Sequence, residues 1–240
     1  MIFAEILAGG IGKRMGDPDR PKQFMMLGDK PILIHTLEKF CAAADFDAVV
    51  VVCPEEWIQQ TTDLVDRYLP AFDNVRVVAG GAQRYDSVMN GLKAIEAEFG
   101  VDEDAIVVTH DAVRPFVTHR MIAENIAAAQ QYGACDTVIP ATDTIVHSMD
   151  GAVIADIPKR AEYYQGQTPQ SFKMLSLKKL YHQLTDEQKS ILTDACKIFA
   201  AQGELVALVQ GDVSNIKITY PHDLRVARAM LADEIGAIDA

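Results

Sequence analysis

The sequence predicts an α/β fold built on a mostly parallel sheet, and three observations carry that prediction. Short apolar runs alternate with stretches whose apolar residues recur every three or four positions, the pattern of βαβ units. Glycines directly follow the first and third of these runs, where strand-to-helix turns of such a fold lie. The 240 residues are 49% hydrophobic and 23% charged, ordinary proportions for one large domain with a full core.

Taken in order, residues 2–7 form a strand that opens into Ala8-Gly9-Gly10-Ile11-Gly12-Lys13-Arg14-Met15-Gly16. Leu33, Leu37 and Phe40 then make the apolar stripe of a helix. Residues 49–53 and 75–79 are the second and third strands, and Val88, Leu92, Ile95 and Phe99 mark the helix after them. Strands follow at 105–109 and 137–139. Residues 144–149 and 152–157 are β-like stretches around Asp150-Gly151, a turn pair favoured by two-residue hairpins. An isolated hairpin is marginal in water, so this β-hairpin arm at about 144–157 packs either on its own domain or on a second subunit. Thr185-Asp186-Glu187-Gln188 is a capping box opening a helix that carries Ile191, Leu192, Ala195 and Ile198. A strand at 205–209 and a helix from Pro221, carrying Leu224, Ala227, Met230 and Leu231, complete the order. With no repeat or linker, residues 1–240 read as a single domain.

The net charge of −12 argues against general nucleic-acid binding and against an anionic membrane surface. It also makes the cations Lys13, Arg14, Arg20 and Lys22 conspicuous beside the first glycine loop. No apolar stretch approaches the ~20 residues that cross a bilayer, and Glu5 interrupts the apolar start, so no leader or membrane span is expected. Cys41, Cys53, Cys135 and Cys196 lack metal-ligand spacing with one another or with the histidines. They read as core residues of a reducing, cytoplasmic compartment.

Glycines after a strand let backbone amides approach an anion. The first loop is not a Walker A sequence, since no Gly-Lys-Ser/Thr follows. Nor is it a dinucleotide fingerprint, whose third glycine would stand one residue before Gly16. Its cations exceed what a diphosphate needs, so it reads as a nucleoside triphosphate site formed with Leu7, Ala8, Gly9 and Gly10. A second loop, Gly80-Gly81-Ala82-Gln83-Arg84-Tyr85-Asp86-Ser87, ends the third strand and suits a base or phosphate, with Ser87 as an extra hydroxyl donor. Asp111, ending the fourth strand, faces the same edge. A carboxylate beside a triphosphate calls for a divalent cation between them, which makes Asp111 a metal-ligand candidate; a helix cap or a partner for Arg114 is the plainer role. His110 reads as satisfying backbone groups. Arg160 and Lys217 lie in β-rich surroundings, and Lys217, between Ile216 and Ile218, points away from both.

Leu7-Ala8-Gly9-Gly10-x-Gly12-x-Arg14-Met15-Gly16, Pro21-Lys22-Gln23, His110-Asp111-Ala112-x-Arg114-Pro115, Thr168-Pro169-Gln170 and Asn215-Ile216-Lys217 together resemble the sugar-phosphate cytidylyltransferases. The motifs occur in order along essentially the whole chain. The resemblance implies a Rossmann-like nucleotidyltransferase domain, a β-arm clasping a partner in a homodimer, and Mg²⁺-dependent transfer of CMP from CTP to a sugar-alcohol phosphate. It implies that Arg14 and Lys22 stabilise the transition state and that Arg160 and Lys217 position the acceptor phosphate. One branch of the family uses 2-C-methyl-D-erythritol 4-phosphate and usually opens with Ala-Ala-Gly where this chain has Leu7-Ala8-Gly9-Gly10. That branch also has alanine where Val113 stands. Tyr164-Gln165-Gly166-Gln167-Thr168-Pro169-Gln170 and Leu192-Thr193-Asp194-Ala195-Cys196-Lys197 look like the ribitol-5-phosphate branch. The expectation is therefore ribitol 5-phosphate, with the methylerythritol acceptor as the alternative. Two other classes are weighed. A non-catalytic nucleotide-binding module has no need of Lys22, Arg160 and Lys217 together, and an NAD-dependent oxidoreductase conflicts with the glycine spacing.

Overall fold

In the computed structural model, residues 1–10, 15, 21–43, 46–192 and 194–238 are described. Strand β1 (Ile2–Leu7) is followed by a small hairpin, β2 (Met26–Leu27) and β3 (Lys30–Pro31), and by α1 (Ile32–Ala43). Next come β4 (Ala48–Cys53), α2 (Ile58–Tyr68), β5 (Val75–Ala79), α3 (Arg84–Phe99), β6 (Ile106–Asp111), α4 (His119–Tyr132) and β7 (Ala134–Pro140). The chain continues through β8 (Tyr164–Lys173), α5 (Met174–Gln183), α6 (Asp186–Ser190), α7 (Cys196–Ala200), β9 (Ala207–Gln210) and α8 (Pro221–Ile238).

Seven strands form one sheet in the order β5-β4-β1-β6-β8-β7-β9. Every pairing is parallel except those of β8, which runs against both β6 and β7. The expected α/β class with a mostly parallel sheet is what the chain adopts. A parallel strand covered on both faces needs apolar side chains on both, and β4, Ala-Val-Val-Val-Val-Cys, is buried at every residue. One core joins this sheet to α1, α2 and α4; the other joins it to α3, α5 and α7. A third, smaller cluster seats α8 against Leu27, Ile32, Val113, Phe116 and Ile218, bracing the stretch before Pro221.

Several elements depart from the sequence reading. β8 is absent from it because Gln165, Gly166, Gln167, Thr168 and Pro169 have little strand character, yet residues 167–172 are buried in the sheet. The capping box at Thr185 forms, but its helix is only α6; a second start, with Asp194 Oδ1 accepting from Lys197 N at 3.0 Å, makes α7 separate. The arm is not a two-stranded ladder. Among the described residues it holds a single antiparallel bridge, His147 with Asp156, and its tip is tied by Asp150 Oδ1 accepting from Ala152 N and Val153 N at 2.8 and 3.1 Å. Its apolar residues lack a third strand to lie on, and Met149 remains 84% exposed. Residues 215–219 are extended loop rather than strand. All four cysteines are free thiols; three are buried and Cys41 is half-buried. No described helix is long and apolar enough to cross a membrane.

Candidate functional site

β1 and β6 are neighbours in the sheet, and the chain leaves them on opposite sides, so a crevice opens beyond their C-terminal ends. Leu7 and Asp111 are paired in register at that edge. A cavity of about 300 Å³ sits there, lined by Leu7, Ala8, Gly9 and Gly10, by Lys22 and Gln23, by Gly81, Ala82, Gln83, Arg84 and Ser87, and by Asp111, Ala112, Val113 and Lys217.

The first loop is pinned from both ends. Ala8 N donates to Val52 O at 2.8 Å, and the buried Gln23 side chain donates to Ala8 O at 2.6 Å. Lys22, on the short 3₁₀ turn Lys22–Phe24, is buried and donates to Ile218 O at 3.0 Å. It thereby ties the first loop to the segment that carries Lys217. Arg14, with Lys13 and Arg20, lies outside the described residues.

In the second loop, a Cβ on Gly81 would fall on the Cβ of Asp86 and within 3.0 Å of its carbonyl carbon, so only glycine fits. Gln83 N donates to Asp86 Oδ2, and Gly81 N donates to Ser87 Oγ, both at 3.1 Å. Ser87 Oγ in turn donates to Gln83 O at 3.2 Å. The expected extra donor, Ser87, is thus engaged within its own loop. Asp86 caps α3, and Tyr85 turns away to pack on Tyr181 at 6.0 Å between ring centroids and to line a separate small apolar pocket. Neither Tyr85 nor Asp86 reaches the cavity, because the helix start consumes them.

Asp111 is the electrostatic centre. Its Oδ1 lies 2.6 Å from Arg84 Nη1; its Oδ2 lies 2.9 Å from Lys217 Nζ and 3.4 Å from Arg114 Nε. Burial works against the charged form, but Arg84, Lys217 and Arg114 outweigh it and hold this carboxyl well below the usual range. Asp111 is therefore a carboxylate at any physiological pH. The partnership with Arg114 weighed in the sequence is present, joined by two further cations. Thr168 Oγ1 accepts from Asp111 N at 3.1 Å and contacts His110 Nδ1 at 2.9 Å, while His110 Nε2 contacts Arg114 O at 3.1 Å. Burial pushes His110 down to about 4, so it is neutral and satisfies its neighbours, as its backbone role predicts.

Among the described residues no three of His, Cys, Asp and Glu converge as a metal cage. Asp111 is the one carboxylate lining the cavity; Mg²⁺ uses one or two carboxylates with phosphates and water, so it would take Asp111 in exchange for one of that carboxylate's ion pairs with Arg84, Lys217 or Arg114.

Arg160 is not brought to this cavity. It is exposed at the base of the arm, where its guanidinium donates to Thr142 O at 2.8 Å. Lys217 is brought in from far along the sequence, and Arg84 joins it through its side chain, not only its backbone. Gln23, Ala112 and Val113 were not singled out as site residues. Their signal lay in the same motifs, Pro21-Lys22-Gln23 and His110-Asp111-Ala112-Val113, whose charged members drew the attention.

Solved structures share this architecture. A 4-diphosphocytidyl-2C-methyl-D-erythritol synthase from Anaerococcus prevotii DSM 20548 is 28% identical, with 96% of each chain covered and a TM-score of 0.79. The 2-C-methyl-D-erythritol 4-phosphate cytidylyltransferase of Thermus thermophilus is 29% identical over 96% of this chain and 98% of that one, with a TM-score of 0.72. That of Francisella tularensis is 26% identical over 94% and 97%, with a TM-score of 0.77. The family described as IspD, 2-C-methyl-D-erythritol 4-phosphate cytidylyltransferase, matches residues 2–233. With its glycine loops, its cation-ringed aspartate and this match over nearly its whole length, the chain belongs to the IspD family of cytidylyltransferases.

Proposed function

We propose that this enzyme transfers CMP from CTP to the phosphate of a short sugar-alcohol phosphate. The observation that carries the reading is the charge of the cavity: Lys22, Arg84 and Lys217 line it against one acidic residue, Asp111, in a chain of net charge −12. Such a wall suits two anions brought together. A phosphate oxygen of the acceptor attacks the α-phosphorus of CTP in line; the new P–O bond forms as the bond to the β-phosphate oxygen breaks, and pyrophosphate leaves with that electron pair. The nucleophile is already an anion, so no general base is needed, which agrees with the neutral, buried His110. Lys22 and Arg14 offset the charge that grows on the α-phosphate and on the leaving group. Amides of residues 7–10 and 81–87 hold the nucleotide. Asp111 would help to hold Mg²⁺, whose chemistry would be to offset the negative charge of the phosphates.

Two acceptors are each favoured by a specific observation. The family description and the solved structures named above favour 2-C-methyl-D-erythritol 4-phosphate, and they back it better than they back ribitol 5-phosphate. Ribitol 5-phosphate is supported by the sequence departures: the stretch Leu7-Ala8-Gly9-Gly10 that stands for Ala-Ala-Gly, and Val113, line the cavity rather than scatter over the surface. The test is pyrophosphate release from CTP with each acceptor and with none. Acceptor-dependent release establishes the transfer, and the ratio of kcat/KM between the two identifies the substrate. Nucleotide binding without release in either arm would leave a binding module instead.

A further inference from the structure

A row of polar side chains crosses the sheet one pleat below the cavity. Glu5, Thr109, Gln170 and Asp136 are paired in register across β1, β6, β8 and β7. Their neighbours along the same face are core residues, Phe3, Val107, Phe172 and Ala134. Gln170 is 2% exposed and donates to Asp136 Oδ1 at 2.9 Å, yet its own Oε1 has no partner. A buried amide oxygen without a donor is costly and calls for one from outside the protein. Asp136 is only half-buried, and its other oxygen faces Gly166, where even an added Cβ would meet it at an ordinary 3.5 Å. Gly166 is exposed, so this end of the row opens to solvent.

Hydrogen bonds link the opening to the segment that carries Lys217. Next to Gly166, Gln167 accepts from Asn215 Nδ2 at 3.2 Å, and Asn215 stands two residues before Lys217. Thr168 links the same stretch to Asp111. Asp194, also half-buried, adds its charge to Asp136 from the start of α7.

We propose that Asp136 and Gln170 hydrogen-bond the hydroxyl chain of the acceptor and so set its length and hydroxylation. The inference rests on the sugar-alcohol phosphate reading above. With the acceptor phosphate at Lys217, the hydroxyls run past Thr168 toward Asp136, whose carboxylate accepts from them while Gln170 Oε1 receives its missing donor. Burial pushes the Asp136 carboxyl up to about 6, against the Gln170 hydrogen bond and with Asp194, so at neutral pH it still presents a carboxylate as a strong acceptor. A site built to bond hydroxyls rejects analogues that lack them.

The test compares wild type, Asp136→Asn and Asp136→Ala in CMP transfer to ribitol 5-phosphate, 2-C-methyl-D-erythritol 4-phosphate and the shorter glycerol 3-phosphate. The near-isosteric asparagine variant guards against a folding artefact, and thermal melting checks both. The KM for the best acceptor should rise about 10–100-fold in Asp136→Ala, with the KM for CTP within about twofold and selectivity over glycerol 3-phosphate reduced. An unchanged acceptor KM and selectivity would overturn the proposal, as would an equal rise for CTP. Wild-type inactivity with every acceptor would instead defeat the transfer reading, and this inference with it.

Discussion

At Asp111 one carboxylate serves three cations, and the cavity's chemistry depends on what those cations do when a nucleotide arrives. Lys22, a cavity cation outside that trio, has its stem buried beside Gly10 and its ammonium tied to Ile218 O, so it is held ready rather than recruited. Lys22→Ala or Arg14→Ala should lower kcat by about 10²–10³, with CTP affinity by calorimetry falling much less. Near-normal kcat in either variant would remove that residue from transition-state stabilisation. Elsewhere on the same sheet Glu5 is fully buried, and neither of its oxygens has a partner. Burial lifts its pKa well above the ordinary value, with Arg84 the one opposing influence. The folded state therefore binds a proton that the unfolded state has released. This contribution to stability is fully present below the unfolded pKa and is lost as pH rises through the folded one. Glu5→Gln keeps the shape without the titration. Its melting temperature should gain on wild type progressively from pH 5 to 7, and a gap that stays constant with pH would refute the assignment.

Elements show why the two glycine loops are not equivalent. The first is held by side chains from elsewhere, Gln23 and Lys22; the second is closed on itself by Asp86 and Ser87. Gly81→Ala would force a Cβ onto Asp86 and spread that second loop. CTP binding should weaken about tenfold, or ~1.4 kcal/mol, while the melting temperature changes little because the loop lies outside both cores; unchanged affinity would mean that the loop does not hold the nucleotide. Both loops were legible in the sequence, since glycine after an apolar run has few other uses. Also legible were β4, whose valine run suits a doubly covered strand, and β5, half-buried at the sheet's edge. β8 was not legible, since its polar residues are buried through partners distant in sequence: Gln167 through Asp212 and Asn215, Gln170 through Asp136. Likewise Arg84 appeared as part of a loop, and only the fold places its guanidinium on Asp111. Lys217 was marked by the family resemblance alone, and it is α8 and the third core cluster that fold its segment over the cavity edge.

For the molecule as a whole, the arm leaves a run of apolar surface uncovered. Val146, Met149, Val153, Ile154 and Ile157 are all more than half exposed on residues 146–157, too large a run for an ordinary loop. We expect a homodimer through this arm. Deleting residues 148–153 should yield monomers in sedimentation, and an unchanged dimer, or a monomeric wild type at micromolar concentration, would refute it. Arg160 stands at the base of that arm and away from its own cavity, so an acceptor site completed across the interface should allow complementation: mixing inactive Arg160→Ala and Lys217→Ala should restore part of the activity. Mixed variants that stay inactive, or an Arg160→Ala enzyme with normal acceptor saturation, would confine the site to one chain. Finally, β8 lies between β6 and β7 in the sheet but follows both in the chain. During synthesis the strands of the glycine-loop half, β5-β4-β1-β6, can pair as soon as residue 111 emerges, whereas β7 has no sheet partner until residues 164–173 arrive. Vectorial folding thus builds the nucleotide half first, and Asp111 stays without Thr168 beneath it until the arm has already left the ribosome.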